Sequence, residues 1–227
     1  MIKVFYHPSP NPLKVVLFLE EANVPYEIVP VDTKKGEQFS DGFKAINPNT
    51  KVPVIADGET IVFDSSAILL YLAEKTGKFL GPASERGELL SWLFFAASGL
   101  GPYIGQAAHF RHQAPEPKEY ALNRYAFEAD RHYGIVNERL AARRYMVGDA
   151  YTILDMSVVV WARIVGRVCG DDAWPKYPHL RRHLDDITAR PAFMRADLIK
   201  DRYAFKTEMD AEARNFLYPH TVNRGVR

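Results

Sequence analysis

Apolar and polar positions along the first eighty residues fall into two periods. IKVFYH (2–7) and YEIVPVD (26–32) carry the short pattern of strands, and between them LKVVLFLEEAN (13–23) repeats its apolar positions at helical spacing. A looser helical patch follows around FSDGFKAIN (39–47), so the chain opens as a βαβ unit with a further helix. VPVIAD (52–57) and IVF (61–63) are β-branched runs on either side of Asp57-Gly58, which predicts a hairpin. SSAILLYLAEKTG (65–77) then closes the region as a helix with Gly77 just past its end.

From about Ser84 the strand signals vanish. Helical patterns run through ELLSWLFFAASGLGPYIGQAAHF, EYALNRYAFEADRHYGIVNERLA, ILDMSVVVWARIVG and PHLRRHLDDITAR. The pattern predicts an α/β domain over residues 1–80, an all-helical domain over 84–202 and a tail, 203–227, that fits neither period. The joint falls near KFLGPAS (78–84), where Gly81-Pro82 interrupts both.

Composition narrows the classes of function. The 227 residues suit a compact two-domain chain, and 47% hydrophobic with 25% charged residues is ordinary for a globular protein. A formal net charge of +1, from 29 basic and 28 acidic side chains, gives no sign of nucleic acid or of a membrane surface as partner. With no signal-peptide layout at the start and no apolar run of membrane-spanning length, a cytoplasmic protein is the expectation. Cys169 is the sole cysteine, which excludes an intramolecular disulfide, a CxxC redox pair and a cysteine-cluster metal site. No metal is expected, and redox chemistry cannot use a protein dithiol.

Three short stretches carry candidate chemistry. HPSPNP (7–12) lies at the first strand-to-helix junction. Proline fixes φ and biases the residue before it toward extended geometry, so this loop is stiff and can hold Ser9 and Asn11 at the start of a helix expected near Pro12. Val52-Pro53 stands where a strand begins, a position that tolerates a residue with no N–H to donate. A trans edge proline is the plainer reading; a cis bond would leave the Val52 backbone facing outward to pair with an extended peptide. Asp64-Ser65-Ser66 lies where a strand gives way to a helix, with Ser65 as the expected capping residue. A plain cap is the commoner outcome, yet a helix N-terminus also welcomes a carboxylate and Asp64 can accept from an ammonium, so the pair could hold the zwitterionic head of an amino acid.

In this order the pieces resemble the glutathione transferases, which join a thioredoxin-like N-terminal domain to a helical C-terminal one; the resemblance covers about residues 1–202. FYHPSPNPLKVVLFLEEANVPYEIVPVD, GEQFSDGFKAINPNTKVPVIAD and FDSSAILLYLAEKTG are most similar to the Nu-class members, bacterial glutathione-dependent disulfide-bond oxidoreductases. WLFFAASGLGPYIGQAAHFRHQAPE carries the more specific part of that match. Thr152-Ile153-Leu154-Asp155 is similar to the family's capping box at the start of a buried helix, with a role in folding.

The resemblance implies glutathione as co-substrate. Its glutamyl head would sit on Asp64 and Ser65 and its cysteinyl backbone on Val52 before Pro53, with further contacts from Gln38, Lys51 and Arg131. Ser9 and Asn11 become the catalytic pair, hydrogen-bonding the glutathione sulfur beside the positive end of the first helix and so favouring its thiolate. A small-molecule disulfide or electrophile would enter a cleft lined by Tyr6, Tyr103, His109 and Phe110, and the family forms homodimers. Plainer roles stand beside these: Tyr6 as a core residue of its strand, His109, Phe110 and His112 as satisfied or solvated side chains, Arg131 as a surface ion pair, and Cys169 as an inert buried thiol.

Two glutathione chemistries remain open, attack of the thiolate on a disulfide and conjugation to an electrophilic carbon. The Nu-class loop has threonine followed by proline and asparagine; here Ser9-Pro10-Asn11 keeps the hydroxyl and the amide, and serine also resembles the conjugating classes that use it on glutathione. Disulfide reduction leads, conjugation is the alternative, and a non-catalytic binding protein on the same fold is a third reading. In the tail, Phe205, Phe216, Leu217 and Tyr218 either cover an apolar groove, lap over a partner subunit or belong to a disordered end.

Overall fold

The computed structural model describes residues 1–221 and resolves into two compact units: Met1–Ile68 together with the chain from Arg195 onward, and Leu69–Met194. The last six residues of the expected 203–227 tail lie outside the described residues.

The first unit is built on a four-stranded sheet of β1 (Ile2–Tyr6), β2 (Tyr26–Pro30), β3 (Val54–Asp57) and β4 (Thr60–Phe63) in the order β2-β1-β3-β4. β1 and β2 are parallel, with Val4 opposite Ile28, and parallel neighbours need a crossover, which α1 (Pro10–Ala22) supplies. β3 runs antiparallel to both β1 and β4. Asp57 pairs with Thr60, so Gly58 (φ 62) takes the first position of a two-residue turn that demands positive φ. α1 is buried without a break from Pro12 to Leu19, which makes it a core helix with no solvent stripe in that span. That burial carries Lys14 into the interior at 2% exposure.

A smaller cluster of Val31, Phe43 and Val54, flanked by Phe5, Ile46 and Val52, sits beside the main core. It holds α2 (Asp41–Ile46), which Ser40 caps by accepting from the Phe43 N–H, and anchors the loop that delivers Val52. α3 (Ser65–Thr76) begins in this unit and runs on into the second. The compact units therefore part at Ile68–Leu69, inside a helix, whereas the sequence periods change near Gly81-Pro82.

The second unit is helical: α4 (Arg86–Phe95), α5 (Gly101–His112), α6 (Glu119–Arg139), α7 (Ile153–Ala162), α8 (Val165–Cys169), α9 (Pro178–Thr188) and most of α10 (Pro191–Asp197). The run ELLSWLFFAASGLGPYIGQAAHF does not form one helix, because a π-helical turn at residues 96–100 joins α4 to α5. Close packing explains the glycines there: a Cβ on Gly99 would lie 2.7 Å from Nε2 of His132, and one on Gly101 would lie 3.1 Å from the Trp161 ring. α7 is buried along its whole length and opens with the expected capping box. Asp155 accepts from the Thr152 N–H at 2.8 Å, and its other oxygen accepts from the Met146 N–H at 2.8 Å and meets Nε2 of His183 at 2.9 Å.

The tail is ordered through its described length and folds on the first unit. The Lys206 N–H donates to Asp32 at 2.7 Å, the Lys34 ammonium donates to the Thr207 carbonyl at 2.6 Å, and Asp210 caps a short α11 (Ala211–Leu217). Phe205 packs edge-on against His7, ring centroids 5.1 Å apart, and Phe216 lies over Gly36.

Candidate functional site

α1 starts at Pro10, two residues before the position the sequence predicts, with Ser9 as its extended N-cap residue. Proline suits the first helical position, where an N–H would have no partner in the helix. HPSPNP is therefore half loop and half helix, and Asn11 stands in the first turn. The Ser9 hydroxyl donates to the His7 carbonyl at 3.2 Å and makes no cap bond to the helix. Asn11 accepts at Oδ1 from the Ser65 hydroxyl at 3.4 Å, and the Ser65 oxygen accepts from the Lys14 ammonium at 3.3 Å. Lys14, Ser65 and Asn11 thus form one chain of contacts joining the starts of α1 and α3.

Asp64, not Ser65, caps α3. Its Oδ1 accepts from the N–H groups of Ser66 and Ala67 at 2.9 and 3.1 Å. The expectation that Ser65 caps is corrected for a geometric reason: the carboxylate of Asp64 reaches both amides, and Ser65, the first helical residue, turns its hydroxyl toward Asn11 and Lys14 instead. Asp64 has φ 71, a left-handed conformation that aspartate accepts when its side chain bonds locally. Such held strain beside a helix start is a feature of ligand sites.

The Val52-Pro53 bond is cis. The loop before it is tied by Asn47, 1% exposed, whose amide donates to the Lys51 carbonyl at 2.7 Å while its oxygen accepts from the Asn49 N–H at 2.9 Å. The Lys51 side chain remains exposed. Gln38 is 4% exposed and donates through Nε2 to the Thr33 carbonyl at 3.3 Å, while its Oε1 is buried with no hydrogen-bond partner among the described residues. An unsatisfied buried acceptor costs about 1–3 kcal/mol, and a peptide N–H is the kind of group that satisfies it.

Two titratable groups beneath this surface are shifted by burial. The Lys14 ammonium is lowered to about 8, with the Asp64 carboxylate opposing the shift. His7 is pushed below its usual value by burial, offset in part by Asp32 and by its contact with the Val31 carbonyl, so it is neutral at pH 7. Tyr6 is 2% exposed, in the core position of its strand, with Phe205 6.2 Å from its ring.

Arg131, Tyr103, His109 and Phe110 belong to the second unit. Arg131 is exposed and donates to Glu128 at 2.9 Å; Arg124 holds the same carboxylate at 2.8 Å, and the Arg131 bond is the main cause that keeps Glu128 below the usual carboxylate range. Tyr103, Phe110 and Tyr125 form an aromatic patch along α5 and α6: Phe110 stacks on Tyr125 at 5.1 Å, Tyr103 lies 6.4 Å from it, and His109 meets Phe110 edge-on. Nε2 of His112 contacts the Arg167 carbonyl at 2.7 Å. Cys169 is half-buried and burial pushes its thiol up, so it is not a thiolate at neutral pH.

Sequence reasoning missed Lys14, Tyr125 and His132. The signal for Lys14 was present, since it is the one charge inside the apolar run PLKVVLFL. Tyr125 and His132 stand seven residues apart on α6, the spacing of one helical face, and the ring of His132 lies 4.9 Å from that of Tyr103.

Residues 1–74 match the glutathione S-transferase N-terminal domain and residues 98–191 the glutathione S-transferase C-terminal domain. The chain belongs to the glutathione S-transferase family. This transferase is 42% identical over 200 residues to the disulfide-bond oxidoreductase YfcG of Escherichia coli K12, an alignment covering 85% of this chain and 92% of YfcG. A glutathione transferase family member from Pseudomonas fluorescens Pf-5, solved with two glutathione bound, has a TM-score of 0.81 at 34% identity and covers 86% of this chain and 91% of its own. A glutathione transferase from Pseudomonas putida, solved with one glutathione disulfide bound per subunit, has a TM-score of 0.83 at 31% identity, with 87% and 91% covered. The thioredoxin-like unit followed by an all-helical unit is the transferase fold that the sequence implies. Among the described residues no helix is long and apolar enough to cross a membrane, and no three His, Cys, Asp or Glu side chains are grouped to hold a metal.

Proposed function

We propose that this transferase is a glutathione-dependent disulfide-bond oxidoreductase in which glutathione supplies the reacting thiol. What carries the reading is a contrast: a chain 42% identical to a disulfide-bond oxidoreductase has a single cysteine, Cys169, and that thiol is held protonated on α8. The polar cluster at the starts of α1 and α3 contains no thiol of its own.

In this reading the glutathione-binding domain is residues 1–80 and the substrate-side domain residues 84–202. The glutamyl carboxylate of glutathione takes the α3 N-terminus at Ser65, and its ammonium takes Asp64. The cysteinyl backbone pairs with Val52, the orphan Oε1 of Gln38 accepts a peptide N–H, and Lys51 reaches a charged end. Asn11 donates to the sulfur; Ser9 does so only when its hydroxyl turns from the His7 carbonyl. The thiolate attacks one sulfur of a disulfide RSSR, forming a mixed disulfide and releasing RS⁻, which takes up a proton. A second glutathione thiolate attacks the mixed disulfide, releasing the other RS⁻ and glutathione disulfide, so two glutathiones are oxidised and one disulfide is reduced. Relatives with two glutathiones and with glutathione disulfide correspond to the two ends of that sequence. Tyr103, His109 and Phe110 are the proposed contacts for the incoming disulfide, Tyr6 being a core residue of its strand instead, and a cytoplasmic homodimer is the proposed assembly.

The test is turnover of glutathione with a small disulfide by Cys169→Ala. Activity equal to that of the parent protein is expected; loss of turnover in a folded, glutathione-binding variant would refute substrate-supplied thiol chemistry.

A further inference from the structure

We infer that Lys14 is a positioning residue that sets the direction of the Ser65–Asn11 hydrogen bond and thereby aims the Asn11 amide donor at the bound thiolate. The inference rests on the function proposed above, because the thiolate is that of glutathione.

The argument starts from what each group can do. An ammonium has three N–H donors and no lone pair, so its contact with the Ser65 oxygen at 3.3 Å has one possible sense: Lys14 donates and Ser65 accepts. The single proton of the Ser65 hydroxyl is then free to point elsewhere, and Oδ1 of Asn11, at 3.4 Å, receives it. A primary amide has its oxygen and nitrogen on opposite sides, so fixing Oδ1 on Ser65 turns the two N–H groups of Nδ2 away from α3. Both contacts are long, as those of catalytic groups commonly are before substrate tightens them.

Burial makes this polarity durable. Lys14 is 2% exposed and Ser65 6% exposed, so water does not compete freely with either contact. Ser65 from α3 faces the ammonium, and the charge of the Asp64 carboxylate at the junction before it favours the protonated form. Replacing the ammonium by a neutral side chain removes the bias: the Ser65 hydroxyl no longer has to donate to Asn11, the amide can turn, and its carbonyl lone pairs then oppose the sulfur charge. A buried lysine with a merely structural role would alter stability and leave the thiol alone.

The experiment follows the ultraviolet absorbance of the glutathione thiolate on the protein as a function of pH, with affinity measured separately by calorimetry at a pH where the thiol is protonated. Lys14→Met is expected to raise the midpoint for the bound thiol by about one pH unit, the size of one charge-assisted hydrogen bond lost from the thiolate when the Asn11 amide is no longer aimed at it. It should also lower kcat for disulfide reduction about tenfold while KM for glutathione changes by less than about threefold. An unchanged midpoint in a Lys14→Met protein that binds glutathione overturns the inference. Failure of the parent protein to bind glutathione overturns both this inference and the proposed function, so the two failures are distinct. Should Lys14→Met not fold, the parent protein decides: the side-chain amide resonances of Asn11 are expected to shift as Lys14 titrates, and resonances flat through that range overturn the relay.

Discussion

The Ser65 hydroxyl lies 3.4 Å from the side-chain oxygen of Asn11, joining residues 54 positions apart in the chain. Each belongs to the first turn of a helix, so the contact brings two helix N-termini, with their partial positive charge, to one place. Lys14 adds a full charge behind them. An anionic sulfur and an anionic carboxylate are the groups such a place stabilises.

Asn11 and Ser65 should separate by kinetics. Asn11→Ala is expected to lower kcat about tenfold or more with a small change in glutathione affinity, because in the proposed site its donor faces the reacting sulfur. Ser65→Ala is expected to weaken binding, because in the proposed site it faces the glutamyl end, and to lower kcat as well, because its hydroxyl carries the Lys14 contact to Asn11. Steady-state rates read beside calorimetric affinities check this, and equal losses in both parameters for both variants would contradict the division.

Stability in alkaline solution carries the mark of Lys14. Its folded value of about 8 lies below the ordinary 10.5, so between those limits the unfolded chain holds more of the proton than the folded one. Stability from this group therefore rises with pH across that window and is constant below and above it. The melting temperature of the parent protein relative to Lys14→Met should climb from pH 8 to about 10.5. A constant difference across the window would mean that the lysine is not desolvated.

Asp155 is expected to be the most damaging single site in the helical unit. It is 0% exposed and satisfies the N–H groups of Met146 and Thr152 together with His183. Asp155→Ala strands these donors and should cost about 3 kcal/mol or more, whereas Thr152→Val, which loses a cap oxygen, should cost about 1 kcal/mol. Urea denaturation measures both.

Gly36 is where the tail meets the first unit. It has φ 79, and a Cβ there would lie 2.5 Å from the Phe216 ring. Gly36→Ala is expected to lose about 1 kcal/mol from the backbone alone and to loosen the segment after Tyr203, raising its rate of proteolysis and amide exchange. Unchanged protection of residues 205–217 would show that Phe216 does not anchor the tail.

Much of this architecture was legible because period is a local property. The βαβ start, the hairpin and the helical half follow from apolar spacing, and Thr152 and Asp155 announce their own cap. The start of α1 was misplaced because Pro10 reads as a breaker, although at the first helical position proline has no bond to break. The choice of Asp64 over Ser65 as cap depends on a φ of 71, which no pattern in Asp-Ser-Ser reveals. The tail could not be assigned because its order comes from distant partners, such as the Lys206 N–H on Asp32, 174 positions away. Lys14 carries no signal of its burial in the pattern, because a lysine in an apolar run ordinarily reaches solvent along its stem, and α1 offers it none.

The most direct measurement is a paired steady-state assay of the purified protein with glutathione, using hydroxyethyl disulfide as one acceptor and chlorodinitrobenzene as the other. Rapid disulfide reduction with slow conjugation is the expected result. Rapid conjugation with no reduction would make this family member a conjugating transferase, and silence with both acceptors would leave it a glutathione-binding protein without this chemistry; either outcome contradicts the proposed function.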